Sequence, residues 1–240
     1  RVQEAEAVSI RIHDNIQIGD WTLSPGLRYE DIDQKRTRYN DGELRAFRDS
    51  RKNATQVFLP GLGILYQLSD SLSLLGGVHK GFTAPSNSPN VDEETAINYE
   101  LGFRYNKGYL STELIGFLSD YDNILGECTS SSGSDCVIGE AFNGDAATVA
   151  GLELLVSANL AGGNDYQIPV SLSYTHINGE FDTDIADTAF FGSVSEGDPL
   201  PYLPENQFLA SIGFTKDNWA TYLTGNYVDE VCVRASCNAF

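Results

Sequence analysis

Seven basic residues crowd into positions 34–54: Lys35, Arg36, Arg38, Arg45, Arg48, Arg51 and Lys52. Only Asp41, Glu43 and Asp49 oppose them, a net +4 from seven minus three. The whole chain carries −19, from 15 Lys and Arg against 34 Asp and Glu, so this run is a basic island. Guanidinium forks match carboxylates bidentately, which makes Arg36, Arg38, Arg45 and Arg48 the candidates for holding an anionic ligand. Contact with a phosphate-bearing surface, or pairing with acidic segments elsewhere, are the competing uses. Segments 83–97, 122–146 and 178–204 hold Asp and Glu without a single Lys or Arg.

Other reactive residue types are sparse. Four cysteines form two close pairs, Cys128/Cys136 and Cys232/Cys237, each in a polar stretch. Short closure without a neighbouring His points to disulfides in an oxidising compartment. Zinc is the rival, although it usually takes CxxC-type spacing or histidines alongside. Closing so short a loop is worth about 2–3 kcal/mol in the entropy model. There is no GxSxG and no HExxH, and His13, His79 and His176 fall in separate segments. Neither a catalytic site, a metal site nor a cofactor is expected. Asp182, Asp184 and Asp187 offer oxygen ligands suited to Ca²⁺ but lack the Gly and Glu of an EF-hand loop, so a solvated acidic loop is expected. The acidic balance excludes a nucleic-acid partner.

The elements that must carry these groups are strands. With 240 residues the chain can form one large β domain or two small ones. No apolar run approaches the roughly 18 residues of a transmembrane helix, whereas a transmembrane strand needs only about 9–11 with one apolar face. Period-2 alternation marks about ten strands. Val8, Ile10, Ile12, Ile16 and Ile18 share a face, as do Trp21, Leu23, Pro25, Leu27 and Tyr29. Further strands follow Phe58–Leu68, Leu72–Phe82, Asn98–Tyr105, Tyr109–Asp122, Gly151–Leu160, Ile168–Thr175, Phe208–Phe214 and Trp219–Tyr227. In Tyr109–Asp122 the alternation is weaker, because Ile115 and Phe117 sit opposite Leu110, Leu114 and Leu118.

Connections alternate in length. Short ones fall at Gly19-Asp20, Ser69-Asp70-Ser71, Asn106-Lys107-Gly108, 162–165 and Lys216-Asp217-Asn218. Long ones fall at about 34–54, 83–97, 122–146, 178–204 and from 228 onward. That rhythm is expected of an antiparallel transmembrane β-barrel and not of a Greek-key sandwich. Trp21, Tyr66, Tyr105, Tyr166, Phe214 and Trp219 lie beside short turns. Tyr29, Phe58, Phe82, Tyr99, Tyr174, Phe208 and Tyr227 lie toward the long loops, with aliphatic residues between. Two aromatic girdles around an aliphatic band match the two bilayer interfaces. The opposite face carries Arg11, His13, Arg28, Glu30, Glu100, Arg104, Glu113 and Glu153, which suits a wide wet lumen better than a dry core.

Four segments then resemble TonB-dependent outer-membrane receptors. Thr22 to Glu30, with Ser-Pro-Gly-Leu-Arg-Tyr-Glu, is similar to that family's PGlRyd strand. Gly81-Phe82-Thr83-Ala84-Pro85-Ser86, then Glu93/Glu94 and Asn98-Tyr99-Glu100-Leu101-Gly102, resembles its GFraPs and nyElG pair. Val149-Ala150-Gly151-Leu152-Glu153 and Leu200-Pro201-Tyr202-Leu203-Pro204-Glu205 resemble its GlE and lPy.P motifs, in the family's order. Within the family the ferric-dicitrate type is the nearest, through Gly19-Asp20-Trp21-Thr22 and Leu59 to Asp70.

The resemblance implies an all-β chain, 1–240, forming about ten strands of a 22-stranded barrel in the bacterial outer membrane. The plug domain and closing strands would lie outside this piece, which opens at Arg1 without a basic start or apolar h-region. It implies active import of a ferric chelate or siderophore, ferric citrate among the candidates, energised by the TonB-ExbB-ExbD complex. Surrounding lipid and lipopolysaccharide would be further partners. A passive porin or an adhesin barrel is the alternative, and a surface hydrolase a distant third. Replacing Arg36, Arg38, Arg45 and Arg48 together with Ala is expected to weaken ferric-chelate affinity, measured on the intact receptor. Unchanged affinity rejects the basic island as a binding site.

Overall fold

The structure, a computed structural model, describes residues 2–40, 46–85, 91–128, 138–139, 141–161, 165–188 and 192–233. Its strands are Val2–His13 (β1), Trp21–Tyr39 (β2), Phe47–Ser69 (β3), Leu72–Thr83 (β4) and Glu94–Lys107 (β5). They continue with Leu110–Asn123 (β6), Ala147–Asn159 (β7), Pro169–Phe181 (β8), Asn206–Lys216 (β9) and Trp219–Val228 (β10). Each pairs antiparallel with the next, so the ten form one meander in chain order. Ile16–Ile18 extends the first edge beside β2, and Tyr166–Gln167 pairs with β9 just before β8 begins. A sandwich needs two facing sheets. The meander is one curved wall.

Register decides the faces, because residues directly opposite each other in an antiparallel pair point the same way. Ile10, Tyr29 and Phe58 form one outer row, and Leu74, Phe103, Leu114, Leu154 and Tyr174 form another. This outer face leaves large apolar side chains uncovered, with Ile12 at 71%, Leu101 at 73% and Leu223 at 73% exposure. A water-soluble domain does not expose so continuous an apolar surface; a lipid-facing wall requires it. Aromatic pairs bound the band. Tyr29 and Phe58 pack at 4.8 Å between ring centres toward the long loops, while Trp21–Tyr66 at 4.5 Å and Tyr166–Phe214 at 5.7 Å lie at the short-turn end.

The weak alternation of β6 has a packing cause. Phe117 lies on the inner face opposite Gly151, and Ile115 opposite Gly102. A Cβ on Gly151 would stand 2.5 Å from Phe117 Cζ, and one on Gly102 would stand 3.1 Å from Ile115 Cγ1. The glycines leave a slot in which each apolar side chain lies flat on the wall. At the short turns, Gly19 and Gly108 both have φ of 59°, the left-handed region that glycine enters without strain.

Two expectations are corrected. Segment 34–54 is not a long loop: β2 and β3, strands of 19 and 23 residues, stay paired as far as Tyr39 and Phe47, so their outer ends form a hairpin arm. It rises roughly 30 Å past the Tyr29–Phe58 girdle, at about 3.3 Å per residue. Apolar alternation stops there because the arm is polar on both faces: the outer face is exposed, and the inner face, buried at Arg36 and Thr55, still carries polar side chains. The acidic segments are likewise partly structured, with the small ladders Leu125–Glu127 with Ala141–Asn143 and Ile185–Thr188 with Gly192–Val194.

The buried core lies not under the sheet but at its long-loop end. Ala147, Phe181, Val194 and Leu200 are buried there, with Tyr121, Ile124, Phe142 and Leu203 packed against them. Loops from β6–β7 and β8–β9 thus share one compact knob on the rim. Gly151→Val is expected to displace Phe117 and lower stability by about 1–3 kcal/mol, read as loss of the heat-modifiable folded band on gels. Gly225→Val, whose Cβ would meet nothing within 4 Å, is expected to leave that band unchanged.

Candidate functional site

The arm and the wall below it sort their cations by type. Arg11, Arg28, Arg36, Arg38 and Arg51 all fall on the inner face of β1 to β3. Lys35 and Lys52 fall on the outer face, where Lys35 pairs with Glu4 at 3.4 Å. Two arginine pairs stand directly opposite each other on the inside: Arg11 with Arg28, and Arg36 with Arg51. Like charges at such positions repel. The lower pair is partly neutralised by Glu30, buried on the same face and in contact with Arg28. Ser9 Oγ donates to Glu30 Oε1 at 2.8 Å and accepts from Arg28 Nε at 3.3 Å. The upper pair has Arg38 and Asp49 opposite each other one row further out.

Of the four arginines expected to act together, Arg36 and Arg38 share the inner face of β2. Arg48 sits where the register shifts near the arm's tip, 3.9 Å from Asp49, and Arg45 lies outside the described residues. Arg51, in the same basic run, is the residue the site needs; its register with Arg36 appears only once the arm is seen to be a hairpin.

Below the arm, a concavity of about 670 Å³ opens on the inner wall. One row across it reads His13, Gly26, Gly61, His79, each directly opposite the next. A Cβ on Gly61 would sit 3.2 Å from His79 Cβ, and one on Gly26 would sit 3.7 Å from His13 Cδ2. The glycine floor keeps the wall hollow beneath Arg11 and Arg28. The histidines therefore share an inner row, but three strand spacings of about 4.8 Å separate them, too far for one metal ion. Among the described residues no three His, Cys, Asp or Glu side chains are gathered to hold a metal.

Across the mouth the rim is acidic. Asp182 accepts from Thr148 Oγ1 at 2.8 Å and Asp184 from the Glu196 amide at 2.9 Å, so both serve the knob's own hydrogen bonds. Asp229 accepts from Tyr227 at 2.7 Å and Asn206 at 2.6 Å; the Tyr227 hydroxyl, then Asn206, hold its carboxyl below the usual carboxylate value. Cys128 and Cys232 are both disulfide-bonded, while Cys136 and Cys237 lie outside the described residues.

The motif residues turn out to brace this mouth. Glu94 accepts from Thr83 Oγ1 at 2.9 Å and from the Leu125 amide at 2.8 Å, tying β4, β5 and the next loop together. Leu200 and Leu203 close on Gly179, where a Cβ would stand 3.0 and 2.6 Å from their methyls. Between them Tyr202 takes φ of 62°, held by its amide donating to Cys232 O at 2.7 Å. Gly179 is a seat that the strand pattern alone does not mark.

A family model described as TonB dependent receptor-like, beta-barrel matches residues 3–233. The chain belongs to that family. These TonB-dependent receptors are transport receptors of the outer membrane, not enzymes. The metal-pseudopaline receptor CntO of Pseudomonas aeruginosa (strain UCBPP-PA14) is 28% identical over 150 residues, 58% of this chain and 21% of that protein. The unliganded ferric citrate transporter FecA superposes with a TM-score of 0.69 at 25% identity, covering 94% of this chain and 32% of that one. The siderophore receptor PiuA of Acinetobacter baumannii gives 0.75 at 16% identity, with 95% and 34% covered. The ferric yersiniabactin uptake receptor FyuA of Yersinia pestis gives 0.74 at 18%, with 98% and 36% covered. The chain thus spans about a fifth of the curated relative's length and about a third of these solved receptors.

Glu30→Ala is expected to destabilise the folded receptor by about 1–3 kcal/mol, because Arg28 then loses its partly buried anion. Glu4→Ala, which breaks only an exposed pair with Lys35, is expected to cost about 0–1 kcal/mol. Thermal melts of the detergent-folded receptor compare the two.

Proposed function

We propose that the chain is the ligand-receiving stretch of wall in a receptor that imports an anionic metal chelate, ferric citrate or a similar carboxylate complex. The observation that carries this is the inward arginine pair Arg36/Arg51 with Arg38 beside it. Guanidinium forks gathered on the inner face match a carboxylate chelate bidentately, whereas lysines in the same arm point outward. Arg11 and Arg28 continue the same charge down the wall toward the glycine-floored hollow. The names of the similar proteins, a ferric citrate transporter and a metal-pseudopaline receptor, agree with a metal-complex cargo. Residues 1–240 are read as part of one barrel domain, with energy supplied by TonB-ExbB-ExbD through parts of the receptor outside it.

Three lesser assignments follow the same reading. Lys35 and Lys52, on the outer face beyond the Tyr29–Phe58 girdle, are assigned to contact with lipopolysaccharide phosphates. The cysteines are assigned as Cys128–Cys136 and Cys232–Cys237, each stapling a surface loop. Arg48, beside the register shift near the arm's tip, is assigned to first capture of the anion, and Arg45 is assigned with it from its charge alone.

The test is ferric citrate binding to the purified full-length receptor. Arg36→Gln with Arg51→Gln is expected to weaken binding about 10- to 100-fold, the size of one or two lost charge-assisted hydrogen bonds. Lys35→Gln with Lys52→Gln is expected to leave it unchanged. Equal affinity in the wild type and the arginine variant rejects the proposal.

A further inference from the structure

On the inner face of β1 to β3 the charges fall into two groups. Arg28, with Arg11 opposite, forms the lower one; Arg36 and Arg38, with Arg51 and Asp49 opposite, form the upper one. From Arg28 to Arg36 the strand runs about 26 Å, at 3.3 Å per residue. The rows Ala7–Ile32–Thr55 and Ala5–Gln34–Asn53 between them are uncharged. Salt screens exposed charges beyond about 8–10 Å, so each group acts on a solute by itself. Glu30 belongs to the lower group. It is 3% exposed, flanked by Ser9 on β1 and Val57 on β3. Its Oε1 contacts Arg28 and accepts from Ser9 Oγ at 2.8 Å, while Arg28 itself stays half-exposed. A solute at the wall therefore meets the guanidinium and not the carboxylate. Two cations against one anion leave the lower group at +1, where three against one leave the upper at +2.

A carboxylate buried beside guanidiniums weakens their pull on an anion. One unit charge at about 7 Å changes the local concentration of a monovalent ion roughly threefold in water, and that of a multivalent chelate by more. Without Glu30 the lower group would match the upper one in charge and compete with it. We propose that Glu30 is a positioning residue: by offsetting Arg28 it holds the lower group at one net charge, so that the anionic chelate settles at the arm and not in the hollow beneath Arg28. The proposal rests on the anion reading above and adds where along the wall the anion is held.

The test uses the folded full-length receptor carrying Leu59→Cys, which stands opposite Arg28 on the inner face. Among the described residues no cysteine is free, and the receptor without Leu59→Cys gives the background. Labelling rates with an anionic and a cationic thiosulfonate are compared. Glu30→Gln is expected to raise the anionic-to-cationic ratio about fivefold or more, Arg28→Gln to lower it as much, and the two together to restore it. A residue that only shaped the wall would not give that restoration. Should Glu30→Gln alone not fold, Arg28→Gln with and without it reads the same step. Ferric citrate is then added before a neutral thiol reagent. It is expected to slow labelling about threefold or more in the Glu30→Gln receptor and to leave the rate unchanged where Glu30 is intact. An unchanged ratio, a ratio that the double variant does not restore, or no labelling overturns the proposal. So does equal protection in the two receptors while both bind ferric citrate. Should neither bind it, the cargo reading fails, and the ratio alone upholds or overturns the role of Glu30.

Discussion

Hydrocarbon offers no hydrogen bonds, so each backbone amide and carbonyl of this wall must find its partner in a neighbouring strand. The ten strands meet that demand with an almost unbroken one-to-one register. The shifts fall between Arg38 and Tyr39, Gln67 and Ser69, and Thr95 and Ala96, all near strand ends. Because the register holds through the apolar band, face parity holds too. A slip of one residue in β2 would carry Arg28 and Glu30 into lipid and Leu27 and Tyr29 into the lumen. The outer edges of β1 and β10 have no partner among the described strands, so in a bilayer they need strands beyond these ten.

The same constraint explains the two forms of the chain's polar parts. Past the Tyr29–Phe58 girdle the pairing continues, yet lipid no longer selects a face. Arginine and lysine can then be sorted by what lies on each side, with planar guanidiniums toward the lumen and ammonium groups toward the surroundings. On the far rim the chain takes the opposite solution. The loops after β6 and β8 bury Ala147, Phe181 and Leu200 in a small core of their own, braced by Glu94 and by the seat at Gly179. The mouth thus has a basic arm on one side and an acidic knob on the other.

The membrane-spanning pattern was legible because lipid and lumen impose opposite preferences at period two. Ile10, Tyr29, Leu101 and Phe208 all lie on the face their alternation predicts. The arm looks like a loop in the sequence for the converse reason: past the girdle both faces of the paired strands carry polar residues, and strand pairing leaves no apolar signature there. Arg36 and Arg38 were therefore found by charge, while Arg51 was missed as their partner because only register places it opposite Arg36. Phe117 blurred β6 since its slot depends on Gly151, 34 residues away on the next long strand. Gly179 and Tyr202 belong to loop packing, which has no period to read.

The central claim is that one parity of the wall meets lipid, the other meets water, and that this division ends at the outer girdle. Nitroxide scanning of the full-length receptor in a bilayer measures it directly, with one labelled cysteine at a time through 98–105 and 31–39. In β5, oxygen accessibility should peak at Tyr99, Leu101, Phe103 and Tyr105, and accessibility to a polar nickel chelate at Asn98, Glu100, Gly102 and Arg104. Along 31–39 the polar reagent should reach the odd positions, which face outward there, with no oxygen-rich alternation. Oxygen-rich labels on the even positions of β5, or a two-residue oxygen period continuing through the arm, would contradict the account.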